Sequence, residues 1–256
     1  MNFLARIDTT QSSVATQEPV LLSPQEGLQQ ELELLELVAN NRLEHGFRIW
    51  RCRRAMVVPA SISRNPGFER ASRVLEEKGW PVIIRKTGGD LVPQSPGLLN
   101  VSLVFRQRRS KGSIDASYQA LCRPLIAAFK SLGIDAYCAS VPGAFCDGDY
   151  NLVVDGQKLA GTAQRWRRIA SSGDGNGDSA VLVHAVILCR DELPELWGIS
   201  NDFYRHCGIE RYVEYTKHVS VSELLSEPKT ISDQTLMSRL FQVISEKIKL
   251  HFDELE

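Results

Sequence analysis

The chain has no apolar run long enough to cross a bilayer, which excludes a membrane-spanning helix. It also has almost no net charge, −1 from 30 Lys+Arg and 31 Asp+Glu, so no global field draws it to nucleic acid or to a membrane surface. Six cysteines (Cys52, Cys122, Cys138, Cys146, Cys189, Cys207) are widely spaced with no Cys-x-x-Cys pair. That spacing excludes a zinc knuckle or a disulfide framework and fits a reducing, cytoplasmic setting. His45, His206, His218 and His251 show no ligand spacing, so no metal site is expected. The first twenty-two residues are polar and lack an apolar core of signal-peptide length; they are expected to form a flexible tail or an edge segment. No internal repeat is present.

What remains is an ordinary globular composition over 256 residues, enough chain for a substantial core. Ser23-Pro-Gln-Glu26 has the form of a capping box with proline in the first turn. Leu28, Leu32, Leu35 and Ala39 follow at helical spacing, which predicts a helix to about Asn40. Strands are expected over Phe47–Val58 with a basic break, Pro81–Arg85, Leu99–Phe105, Asp135–Val141 and Ala180–Cys189. A second helix opens near Asn65-Pro66 and closes at Gly79; a third spans Ser113–Leu132, stopped by Gly133. Arg106–Gly112 is expected as a basic loop and Ser171–Ser179 as a glycine-rich one. Short helices follow about residue 190, ending in a longer one from about Ser232 to Leu250. Strands mixed with helices predict an α+β or mixed-sheet α/β domain over 23–256, with a helical C-terminal segment.

Two stretches carry chemistry. Tyr150–Val154 and Lys158–Trp166 flank Asp155-Gly156, a strong signal for a two-residue hairpin turn. Cys146 precedes the first strand of this hairpin and Lys158 follows its turn. A free cysteine is ordinarily a small core residue. A thiol and an amine on one hairpin can instead act on the same carbonyl, because a neighbouring ammonium favours the thiolate. The second stretch is Arg85-Lys-Thr-Gly-Gly-Asp90 after a strand. Adjacent glycines let backbone N–H groups approach a ligand closely. The loop fits neither the Walker nor the dinucleotide pattern.

Taken in order, these segments resemble the lipoate–biotin protein ligase and octanoyltransferase superfamily. Arg85–Gly89 is similar to its Arg-Arg-(Ser/Thr)-Gly-Gly loop, Gly97–Ser102 to its Gly-x-Leu-Asn strand, and Asp155–Gln164 to its lysine hairpin. Cys146-Asp-Gly-Asp-Tyr150 resembles the amidotransferase branch, which moves octanoyl or lipoyl groups between carrier proteins through a cysteine. The resemblance runs from about Arg48 to Leu188 and implies a ligase-like catalytic domain, a class II synthetase-like sheet packed with helices.

The resemblance further implies Cys146 as the acyl-accepting thiol and Lys158 at the acyl carbonyl, with Arg85, Thr87, Gly88 and Gly89 closing over the acyl group or an acyl-adenylate. Asn100, Gly161, Thr162 and Gln164 are implied around the pocket. His184 matches a histidine usually followed by glycine, but Ala185 follows it here. Asp90 stands where the family has a third loop glycine, and an acid there repels a nucleotide phosphate. The expected activity is therefore acyl transfer without a required cofactor. The alternatives are an ATP- and Mg-dependent lipoate or biotin ligase, and a non-catalytic carrier-binding relative. Val101, Leu103 and Val183 are expected either to line an acyl tunnel or to be plain core. The basic run Arg106–Lys111, with Arg165, Arg167 and Arg168, suits an acidic lipoyl-domain or acyl carrier protein, or is a solvated surface.

Overall fold

The structure is a computed structural model, and residues 19–86, 88–169, 178–190, 193–225 and 231–253 are described here. A seven-stranded sheet organises them. Its strands are β1 (Val20–Leu22), β2 (His45–Cys52), β6 (Leu98–Arg108), β7 (Tyr137–Ala139), β8 (Asn151–Val154), β9 (Gln157–Arg168) and β10 (Asp178–Leu188). They lie in the order β1-β2-β6-β10-β9-β8-β7, antiparallel except for the β1–β2 pair. A second sheet, β4-β3-β5, comprises β3 (Ala55–Pro59), β4 (Val82–Arg85) and β5 (Val92–Gln94). Six α-helices complete the described residues: α1 (Pro24–Ala39), α2 (Phe68–Glu77), α3 (Ser113–Ser131), α4 (Leu193–Cys207), α5 (Val221–Leu224) and α6 (Asp233–Asp253). The expected mixed α/β class is observed. None of these helices is long and apolar enough to cross a membrane.

Local chemistry explains several boundaries. Ser23 and Glu26 close the capping box reciprocally at 3.2 and 2.9 Å, which starts α1 at Pro24. Asp155 and Gly156 both adopt positive φ, +48° and +78°, as a primed hairpin turn requires. Val20–Leu22 pair with Trp50–Cys52 as an edge strand, the edge-segment alternative for the end of the first stretch. Two expectations need correction. Arg106–Arg108 are not loop but the end of β6, held by pairing with Asp178–Ala180. The helix after residue 190 is not short, since α4 runs fifteen residues.

Period-2 alternation assigns the two faces of the large sheet. Val101 and Leu103 of β6 and Val183, Ala185 and Ile187 of β10 face α3 and α6, forming the largest core. Val104, Ala180 and Leu182 point the other way and pack under α1. Further along that same face, Leu98, Val186 and Leu188 meet the small sheet, α2 and α4. The seam between the last two clusters is where polar side chains enter the interior.

Candidate active site

Cys146 lies in the loop between β7 and β8 with φ +39°, a left-handed conformation that costs a non-glycine residue about 1–3 kcal/mol unless its surroundings impose it. Three anchors do so. Lys158 donates its ammonium protons to the carbonyl oxygens of Phe145 and of Cys146, the latter at 2.9 Å. His218 Nε2 accepts the Phe145 N–H at 3.1 Å. Asp147 Oδ1 accepts from Val141 N–H, Gly148 N–H and Asn151 Nδ2, at 2.7 to 2.9 Å.

Electrostatics fit these roles. Burial pulls Lys158 down to about 8, and the side chain is fully enclosed with its ammonium 4.0 Å from the Phe145 ring centroid. Burial and the nearby Lys158 pull His218 down to about 4, which keeps its ring neutral and Nε2 free to accept.

The sulfur faces the glycine loop. Asp90 N–H donates to Cys146 Sγ at 3.1 Å. A Cβ on Gly89, at φ +93°, would lie 3.0 Å from that sulfur and 2.9 Å from Arg85 Nη2, so only glycine permits this approach. Arg85 is buried and donates Nη2–H to the carbonyls of Gly88 and Asp90, each at 2.8 Å, with its positive charge beside Cys146. The Asp90 carboxylate accepts from Leu91 N–H (2.8 Å) and Tyr204 Oη (2.7 Å) and is ion-paired with Arg211. The loop is thus tied to α4 and to the segment after it.

Cys146 opens onto a small, partly open cavity of about 20 Å³. Val92, Phe145, Ala163 and Val186 form its apolar wall, Gly161 and Thr162 border it, and Arg85 and His184 supply polar edges. His184 and Val186 are presented because they share the β10 face opposite α3. An anionic sulfur at this position has an N–H donor and a guanidinium already aimed at it.

Of the residues singled out by sequence, Cys146, Arg85, Gly161, Thr162 and His184 meet at this cavity, with Gly88 and Gly89 forming the adjoining loop. Thr87 lies outside the described residues. Lys158 sits one layer behind, next to Gly161, and binds backbone rather than lining the space. Asn100 does not reach it. Its amide pairs with that of Gln94 at 3.0 and 3.1 Å and ties the small sheet to the large one. Gln164 falls on the opposite face by alternation and donates to Ile114 O at 3.1 Å. Val101, Leu103 and Val183 are core beneath α3 and α6, not a tunnel wall. Sequence reasoning missed His218, Tyr204, Arg211 and Glu31, because each acts through a partner more than fifty residues away.

The model of the lipoyl protein ligase A/B catalytic domain matches residues 23–244. The chain belongs to that family. Among relatives of the lipoyl protein ligase A/B family, the octanoyl-[GcvH]:protein N-octanoyltransferase of Kyrpidia tusciae is 36% identical over 136 residues, 53% of this chain and 47% of that protein. The enzyme of the same name from Anoxybacillus flavithermus is 27% identical over 218 residues, 82% of this chain and 74% of that protein. The crystal structure of lipoate-protein ligase A bound with ATP superposes with a TM-score of 0.62, covering 91% of this chain and 86% of that one. At 15% identity that likeness concerns the fold alone, and it agrees with the ligase-like sheet the sequence implies.

Proposed function

We propose that this protein is an acyltransferase that moves an octanoyl or lipoyl group to a lysine of a lipoyl-domain protein through a thioester on Cys146. The observation that carries the reading is the sulfur itself. It stands on a cavity wall, meets the Asp90 N–H at 3.1 Å, and has the Arg85 charge beside it. The name octanoyl-[GcvH]:protein N-octanoyltransferase, carried by relatives of the same family, supports the choice of acyl group and acceptor.

In the first step the thiolate attacks the acyl carbonyl of the donor, the carbon–sulfur bond forms and the donor group leaves. In the second an acceptor amine attacks the thioester carbon and sulfur departs. Each acyl carbon buried beside Val92 and Val186 contributes ~0.8 kcal/mol of binding. An acidic carrier domain suits the arginines at the ends of β6 and β9, where Arg106 and Arg167, the latter already paired with Glu36, flank Ala180. No cofactor is required in this reading.

Intact mass spectrometry with an octanoyl thioester donor tests the reading. Wild type gains one octanoyl group without ATP, and Cys146→Ser gains none. Accumulation of an acyl-adenylate from free acid and ATP, with no protein mass change, overturns it in favour of the ligase. Silence in both assays while a carrier domain still binds leaves a non-catalytic relative.

A further inference from the structure

Glu31 is a carboxylate in an apolar place. It projects from α1 and is 2% exposed. An unpaired charge there costs several kcal/mol, so its partners matter. Trp50 Nε1 donates to Oε1 at 3.2 Å, the Ser102 hydroxyl donates to the same oxygen, and His184 Nδ1 lies 3.4 Å from Oε2. Although burial alone would raise Glu31, these partners hold it below the usual carboxylate range, so it is charged. The three partners come from β2, β6 and β10, and His184 alone also borders the cavity that Cys146 opens onto.

A carboxylate at Nδ1 keeps the ring proton on that nitrogen and leaves the Nε2 lone pair for the cavity. Nε2 has no hydrogen-bond partner among the described residues. The Lys158 ammonium is occupied with two carbonyl oxygens and does not line this space. Arg85 has no lone pair to offer. Among the described residues lining the cavity, His184 is the one imidazole, with one ring nitrogen to take a proton and one to give it, while the Thr162 hydroxyl donates to Tyr150 O at 2.9 Å.

We propose that His184 and Glu31 form the proton-transfer pair of this site, His184 Nε2 exchanging a proton with the substrate amine and Glu31 orienting the ring. The inference rests on the acyltransferase reading above. When the acceptor amine attacks the thioester, its nitrogen bonds the acyl carbon and the carbon–sulfur bond breaks. The bonding pair stays on Cys146 as thiolate. The amine proton passes to Nε2, and the imidazolium so formed is balanced by Glu31. When the thiolate attacks an amide donor, the same proton returns to the leaving amine. His184 is thereby a catalytic residue and Glu31 a positioning one.

The test loads wild type, Glu31→Gln and His184→Asn from an octanoyl thioester. It then follows clearance of the octanoyl mass onto an apo lipoyl domain across about pH 6 to 9. Arg48, Arg85, Lys86, Cys52 and Cys146 are the other charged or titratable groups beside the pair among the described residues. The two arginines stay charged over that range, and Cys52, pushed up to about 12 by burial, stays a thiol. His184→Asn is expected to slow clearance about 100-fold and Glu31→Gln about 10-fold, the latter with a displaced pH profile. Added imidazole is expected to restore part of the amide product to His184→Ala. Glu31→Gln keeps the size and an acceptor oxygen, so it is the variant read if the histidine variants do not fold. Wild-type loading with variants that clear at wild-type rate and with its pH profile overturns the pair alone. A wild type that never gains the octanoyl mass overturns the acyltransferase reading and the pair together.

Discussion

Lys158 holds Cys146 by its backbone: the ammonium nitrogen lies 2.9 Å from the Cys146 carbonyl oxygen and also binds the carbonyl of Phe145. The left-handed φ of Cys146 and the aim of its sulfur at the glycine loop follow from that grip, with His218 holding the preceding N–H. A lysine one layer behind the cavity therefore governs where the thiol points.

Burying this ammonium has a measurable signature. Burial lowers Lys158 from 10.5 to about 8, a difference equivalent to about 3 kcal/mol. Between those two values the unfolded chain holds a proton that the folded chain has released, so folding stability gains as pH rises through that window. Chemical denaturation at several pH values should show the gain in wild type and its absence in Lys158→Met. The same variant leaves two carbonyls without their donor and should lower acyl-enzyme formation at least about tenfold.

Gly89→Ala places a Cβ 3.0 Å from Cys146 Sγ and 2.9 Å from Arg85 Nη2, at a φ that only glycine tolerates easily. The expected cost in stability is about 1–3 kcal/mol. The sulfur is also pushed away from the Asp90 N–H, so the rate of octanoyl loading measured by intact mass should fall by at least about tenfold. Unchanged loading would detach the glycine loop from the reaction.

Tyr204→Phe removes the hydroxyl that donates to Asp90 at 2.7 Å while leaving the Arg211 ion pair. A buried acceptor losing one donor costs about 1–3 kcal/mol. The loop that presents Asp90 N–H should loosen, visible as faster amide exchange over residues 88–91 and slower octanoyl loading.

His218 provides a second pH test of opposite range. Its folded value, about 4, lies below the ordinary 6.5, so as pH falls through that interval the unfolded chain gains a proton that the folded chain refuses. Stability should drop there. His218→Asn, compared with wild type by denaturant titration between the two values, should show a shallower drop.

The hairpin was the most legible part of the chain, because Asp155-Gly156 and the alternation on either side are local signals that need no distant partner. Helix α1 was equally plain from its capping box. The end of β6 was not. Arg106–Arg108 carry loop-like charge, and only pairing with β10 makes them strand. At the site, Cys146, Arg85 and His184 were named from sequence and do share a cavity. Asn100 and Gln164 were named too, yet one fastens two sheets together and the other faces α3.

By itself the sequence determined the elements with local grammar, the family, and the presence of a thiol, an amine and a glycine loop in order. Only the tertiary structure decided which atoms meet. Lys158 binds carbonyl oxygens, Asp90 lends its N–H to the sulfur, and Glu31 stands behind His184. Those choices depend on which face of a strand each residue occupies and on partners up to 153 positions apart, such as Glu31 and His184. Spacing along a chain carries no record of such contacts, since burial and hydrogen-bond satisfaction are settled when separate layers pack.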